Sequence, residues 1–590
     1  MARWRGFCLA LAVAGALAPL AAAWADAPTK TSPTIPMHDG VRLAADVVLP
    51  GGAAKARVPA LLVVTPYGRA TRLSGRGVQA FVDAGLAVVL VDARGSGASQ
   101  GHVLSIFSRE ERGDLGEVLA WIARQPWSDG RVVSTGVSYD GNLAALTLAA
   151  PGRVLAASAP RFIDFDTYRD LALPGGVRNE MLLKGWGALT DELNLAPACV
   201  ADAAACAAAP NLERVDGDPD FGALRSALLE HQHNWRPYPD TQGYQFEDDV
   251  TPAGRALREG FLSTQLAALR ASPAPVQLWG SWFDAGTADS ALAWYQAAPA
   301  ARMELYLGAW THGGGARVDP FIRDTAEDEP GAPSPAPTFL DFVRRALGRP
   351  SAVTRVIHYY TAGAAVWRTT PVWPPAGIAP ARWYFGPAGA LSLTAPAAAG
   401  ADRYAVDFTA TTGKTNRWTT QLGGGPVDYG DRSGADAKLL TYTSAPLAHD
   451  IEITGAPAAT LYLASTQPDG AVFVYLEAVA PDGHSTYLSE GELRLALRGA
   501  SGKSPSFLRA DMAPITPGER VEVEVPLHAV SAVVPRGDRL RIAIAGADAD
   551  TFARYPETGN PTYTLSRSPA APSHIDLPQA DWTAPAGRTP

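Results

Sequence analysis

VVSTGVSYDGNL, Val132 to Leu143, is the stretch that decides the fold. It reads as a short β-branched strand, a sharp turn and the start of an Ala/Leu-rich helix running on through AALTLAA. The turn is Gly136-Val137-Ser138-Tyr139-Asp140-Gly141. Glycines flank the serine because a backbone folded back so tightly leaves no room for larger side chains. A serine on a strained strand-to-helix turn of this kind is a nucleophile elbow, usually written G-x-S-x-G. Here the second glycine falls one place late, behind Asp140. The plain alternative is a glycine-containing turn with no reactive role.

Working outward, other apolar runs of strand length surround the elbow. They are Val58 to Pro66, Ala87 to Ala93, Val154 to Pro160, Pro275 to Trp282 and Met303 to Trp310. Helical patterns such as Glu110 to Gln125 lie between them, and the alternating MHDGVRLAADVVLP suits an antiparallel hairpin at a sheet edge. Buried strands alternating with helices predict a parallel sheet covered on both faces. Phe162 to Arg270 breaks the alternation, with helices expected around Asn179 to Leu195 and Phe221 to His231. An insertion at that point is expected to form a cap over the site. Asp328 to Pro337 is turn-rich, and a helix at Thr338 to Leu347 closes the first unit. Beyond Gly348 short alternating strands separated by Gly/Pro/Asp turns predict an all-β sandwich. The expected division is therefore 1–25 leader, 26–161 first part of the α/β core, 162–270 helical cap, 271–347 second part of the core, and 348–590 sandwich.

The leader is read from Met1-Ala-Arg-Trp-Arg, the apolar Gly6 to Ala23, and an A-x-A cleavage site at Ala23-Trp24-Ala25. It implies an exported protein, periplasmic or secreted, with no membrane span after its removal. Cys8 lies inside the leader, so the mature chain keeps Cys199 and Cys206, which in an oxidising compartment are expected to pair. With 590 residues, 47% of them apolar and 18% charged, the chain holds several globular units. A net charge of −9 without a basic cluster argues against a nucleic-acid partner.

Several polar residues follow directly after the buried strands: Tyr67, Asp92, Arg94, Ser138, Asp284 and His312. Strand C-terminal ends share one edge of a parallel sheet, so these side chains converge there although distant in sequence. Ser, then Asp, then His is the chain order of a hydrolase triad on an α/β sheet. His312 lies in a glycine-rich loop suited to a general base; the plain reading is a loop histidine capping a carbonyl. Asp284 would orient the imidazole; the plain reading is a helix N-cap, with Asp289 as the fallback acid. Asp92 and Arg94 are read as bracing the loop beside the site.

These residues resemble the cocaine esterase-type (CocE/NonD) hydrolases, a group that includes X-prolyl dipeptidyl peptidases, glutaryl acylases and α-amino-acid ester hydrolases. The resemblance rests on G-x-S-Y-x-G at Gly136 to Gly141, Pro66-Tyr67, Asp92-Ala-Arg94-Gly95-Ser-Gly97 and Gln125 to Ser128. Further along it rests on Trp282-Phe283-Asp284, Trp310-Thr311-His312 and the sandwich opening Leu440 to Leu447. It implies an α/β-hydrolase domain with an inserted helical cap, followed by a C-terminal all-β jelly-roll sandwich. It implies a Ser138–Asp284–His312 triad acting on an ester or amide through an acyl-enzyme. It also implies an oxyanion hole made by the Tyr67 hydroxyl and the Tyr139 backbone N–H; ordinary aromatic packing is the plain reading of Tyr67. Asp140, Trp282 and Trp310, beside the triad motifs, are candidate substrate contacts.

An alternative within the class needs a free α-amino group on the substrate, held by Asp140, Glu247, Asp248 or Asp249. A non-enzymatic alternative is a glycan- or surface-binding protein using the sandwich. The sequence carries no metal motif, no phosphate loop and no dinucleotide fingerprint, so a small-molecule substrate and no cofactor are expected.

Overall fold

The computed structural model describes residues 27–583 except 52, 54–55, 72–74, 151, 153, 210, 323–332 and 334. The leader expected at 1–25 and most of the turn-rich stretch at 328–337 lie outside the described residues. No helix among the described residues is long and apolar enough to cross a membrane.

Eleven strands form the first sheet: β1 Thr29–Thr31, β2 Thr34–Pro36, β3 Arg42–Leu49, β4 Val58–Thr65, β5 Ala87–Asp92, β6 Ser128–Val137, β7 Leu155–Arg161, β8 Val276–Ser281, β9 Met303–Gly308, β10 Val356–Thr361 and β11 Val366–Thr370. Their order is β1-β3-β5-β4-β6-β7-β8-β9-β10-β11, with β2 paired to β3. Pairing is parallel from β5 through β10 and antiparallel at both ends. Every residue of β5, β8 and β9 is buried, which is why these strands are continuous apolar runs rather than alternating ones. One face is covered in part by the helix Pro335–Gly348, whose Phe339, Phe342, Val343 and Ala346 pack under Leu61, Val133, Ala157 and Ala159.

From β4 the chain steps to β5 on one side, then returns to place β6 on the other side of β4. That reversal opens a crevice beyond the C-terminal ends of β4 and β6, where ligands bind in open α/β sheets. Tyr67 stands on one flank of the crevice and Ser138 on the other.

Between β7 and β8 the described residues form helices and loops, including Glu180–Leu195, Pro197–Ala201, Ala203–Ala208 and Gly222–Glu230. Cys199 and Cys206 are bridged and tie the two short helices together. After residue 370 a 14-stranded, largely antiparallel second sheet forms the jelly-roll domain.

The first sheet takes up two strands beyond Gly348. β10 pairs parallel with β9, Val356 opposite Glu304 and Tyr359 opposite Leu307, so the first sheet runs on to Thr370. β10 lies one strand from the sheet edge. Its His358 stacks flat on Tyr306 of β9, with ring centroids 4.5 Å apart. The two sheets then touch directly, since Ala362 N–H donates to the Ser531 carbonyl at 2.8 Å.

Candidate active site

Ser138 sits at the end of β6 with φ 63° and ψ −130°, a backbone conformation that costs energy for any residue with a Cβ. The glycines around it are forced by contact. A Cβ on Gly136 would lie 2.3 Å from the Asp140 carbonyl carbon, and one on Gly141 would lie 2.8 Å from the Arg161 oxygen at the end of β7. The late second glycine is therefore the one that faces β7. Asp140 is accommodated because its opposite neighbour, Gly136, has no side chain. Ser138 N–H donates to the Arg161 carbonyl at 3.0 Å, fixing the elbow on the sheet edge.

His312 lies in a short 3-10 turn after β9, and its Nδ1 donates to Asp284 Oδ2 at 2.8 Å. Gly313, the next residue, faces Val137, the residue before Ser138: a Cβ there would meet Val137 Cγ1 at 3.6 Å. With Nδ1 committed to the carboxylate, Nε2 is the nitrogen left for the serine side. Asp284 is fully buried at the end of β8. The N-cap of the helix that follows, Thr287–Ala297, is Gly286, so Asp284 does not cap it. Asp289 is occupied elsewhere, accepting from His528 Nδ1 at 2.7 Å and Ala529 N–H at 2.8 Å. A buried carboxylate must have its oxygens occupied by donors, and the second oxygen of Asp284 accepts from Gln421 Nε2 at 2.6 Å.

Tyr67 follows β4, and its hydroxyl accepts from Trp186 Nε1 at 3.1 Å. The Tyr67 ring meets Tyr139 edge-on, centroids 6.3 Å apart. The loop carrying Tyr67 is braced by buried Arg69, which donates through Nη1 to Asp92 Oδ2 at 2.5 Å and through Nε to Asp46 Oδ1 at 2.9 Å. Asp92 thus has the bracing part expected of it. Arg94 braces too, pairing with Asp114 and Asp39.

Tyr139 is held from below by Glu111, whose Oε2 accepts the phenolic proton at 2.9 Å. Burial pushes the Glu111 carboxyl up to about 8. A carboxyl whose folded value exceeds its unfolded one binds its proton more tightly when folded. Its contribution to stability is full below about pH 4.5 and lost as pH rises through 8. Glu111→Gln keeps the acceptor for Tyr139 without the charge, so its thermal midpoint should fall less than wild type between about pH 6 and pH 9. Parallel melting-temperature curves would contradict this.

The three candidate substrate contacts lie in or against the core. Trp282 is fully buried, donating from Nε1 to the Tyr360 carbonyl at 2.8 Å and stacking on Trp373, so it anchors β8 rather than meeting a ligand. Trp310 packs into a cluster with Trp279, Trp367 and Phe162. Asp140 is buried beneath the elbow. The carboxylates suggested for holding an ammonium are also engaged elsewhere. Glu247 accepts from Arg169 at 3.0 Å, Asp248 from Arg509 N–H at 3.0 Å, and Asp249 from the Arg509 guanidinium, latching the cap to the jelly-roll.

Trp186, Glu111, Thr420 and Gln421 were not singled out from the sequence. No motif marks them; their positions follow from contacts between distant segments. An apolar slot lined by Pro66, Ile106, Tyr139, Trp186, Leu195 and Trp235 opens beside the Tyr67–Tyr139 pair.

Residues 39–314 match the X-Pro dipeptidyl-peptidase (S15 family), and residues 350–582 match the X-Pro dipeptidyl-peptidase C-terminal non-catalytic domain. The chain is 35% identical to a Mycobacterium tuberculosis protein named as a serine esterase, over 92% of this chain and 94% of the relative. It is 27% identical to the cocaine esterase of a Rhodococcus species, over 92% of this chain and 97% of that one. Among solved structures it resembles an aminopeptidase from a marine sediment archaeon, Thaumarchaeota archaeon, with a TM-score of 0.72 at 18% identity, covering 94% of this chain and 96% of that chain.

Proposed function

The chain belongs to the serine hydrolases of the S15 and CocE/NonD type, and from that premise we propose that it is an exported esterase forming an acyl-enzyme on Ser138. The observation that carries the reading is the 2.8 Å contact between His312 Nδ1 and Asp284 Oδ2, on the sheet edge that also bears the elbow serine. His312 takes the Ser138 proton as the hydroxyl attacks the ester carbonyl, then returns it to the departing alkoxide. Water, activated by the same imidazole, releases the acid. The oxyanion is stabilised by the Tyr139 N–H and the Tyr67 hydroxyl.

Export is supported by the leader at the N-terminus and by the Cys199–Cys206 bridge, which belongs in an oxidising compartment. A substrate with a free α-amino group would have to be held by other means than Glu247, Asp248 or Asp249. Turnover of a panel of aryl esters, N-acylated amides and free-amine X-Pro anilides tests the reading. Aryl esters should be hydrolysed fastest, and a preference for free-amine substrates would overturn it.

Tyr67→Phe separates this oxyanion arrangement from one made of two backbone N–H groups. The ring and its packing stay, but one donor to the developing charge is removed. Turnover should fall roughly 10²- to 10³-fold, with much less change in KM, since the charge appears only during reaction. A kcat within about threefold of wild type would exclude the hydroxyl as a donor.

A further inference from the structure

Residues 350–582 match a family description that calls the domain non-catalytic, yet one of its loops reaches the acid–base pair. We propose that Gln421 is a positioning residue for the triad, so that the jelly-roll completes the acid–base pair across the domain boundary. This rests on the triad reading above.

The geometry is specific. Asp284 has one oxygen on His312 Nδ1 at 2.8 Å and the other on Gln421 Nε2 at 2.6 Å. Thr287 Oγ1 is more distant, 3.4 Å from Oδ2, and hydrogen-bonds chiefly to the Asp284 carbonyl. A carboxylate sealed from water keeps a fixed orientation only if both oxygens are held. A loose one would let the imidazole rotate away from the serine. Gln421 thus fixes Asp284 by the oxygen that His312 does not use.

The loop carrying Gln421 is itself fastened on both sides. Arg417, fully buried, donates from Nε to the Ala285 carbonyl at 3.0 Å, and Ala285 N–H donates back to the Arg417 carbonyl at 2.8 Å. Trp418 Nε1 donates to Glu490 Oε1 at 2.5 Å within the jelly-roll. Thr420 Oγ1 accepts the His312 backbone N–H at 3.0 Å. Gly424 comes so near the His312 carbonyl that a Cβ would lie 3.0 Å from it. One short segment, Arg417 to Gly424, therefore contacts the acid, the residue after the acid, and the base. A merely structural seam between domains has no need to place an amide donor on the triad carboxylate.

Gln421→Met keeps the length and removes the donor, while Gln421→Glu keeps the shape and sets a second carboxyl against Asp284. Turnover of an aryl ester is measured per active site, with sites counted by complete fluorophosphonate labelling so that misfolded molecules drop out. Gln421→Met should lower kcat roughly 10- to 100-fold, with KM within about twofold. Gln421→Glu should be slower than Gln421→Met, whereas a space-filling role would leave it near wild type. The proposal is overturned if Gln421→Met keeps kcat within about twofold, if the glutamate variant is the more active, or if the loss falls on KM. Ser138→Ala is run alongside. If it stays active, the triad reading fails; if it is inactive while the Gln421 variants match wild type, only the role of Gln421 fails.

Discussion

Ser138→Ala should lower turnover by about 10⁶, to the level that binding and the oxyanion donors sustain alone. On the proposed mechanism the Ser138 hydroxyl oxygen forms the covalent bond to the acyl group. The substitution is clean because alanine carries the same Cβ into the same conformation. The cost of φ 63° is unchanged, and Ser138 N–H still donates to the Arg161 carbonyl. Melting temperature should match wild type while aryl-ester turnover disappears. A variant retaining more than about a hundredth of wild-type rate would remove Ser138 as the nucleophile.

Asp284→Asn should cost about 10⁴ in turnover, for a reason that the surroundings make specific. Gln421 donates to Oδ1 of the present carboxylate at 2.6 Å. An asparagine in the same place would turn its carbonyl oxygen toward that donor and its NH₂ toward His312. The imidazole would then accept at Nδ1 and carry its proton on Nε2, the tautomer that cannot take a proton from serine. The variant should fold normally and bind substrate with little change in KM. A kcat within about tenfold of wild type would mean that Asp284 does not set the tautomer.

Much of the candidate site was legible because each candidate residue follows a buried strand. Completely buried strands such as β5, β8 and β9 are continuous apolar runs, so their C-terminal ends, and the residues just beyond, stand out in the sequence. The sheet's reversal at β4 and β6 then brings Tyr67 and Ser138 to one crevice. Adjacency in sequence was a poorer guide. Trp282 lies two residues before Asp284, yet its ring turns into the core while the carboxylate faces His312. Gln421 and Trp186 were invisible for a different reason. Each acts through a single hydrogen bond made by a segment more than a hundred residues away, and one donor leaves no periodicity or spacing behind.

Fluorophosphonate labelling reports whether Ser138 carries the acyl group. The wild-type protein is treated with the reagent, its intact mass is measured, and the modified peptide is sequenced by mass spectrometry. One adduct per chain is expected, located on Ser138 and absent from Ser138→Ala. An adduct on another residue, or equal labelling of Ser138→Ala, would contradict it.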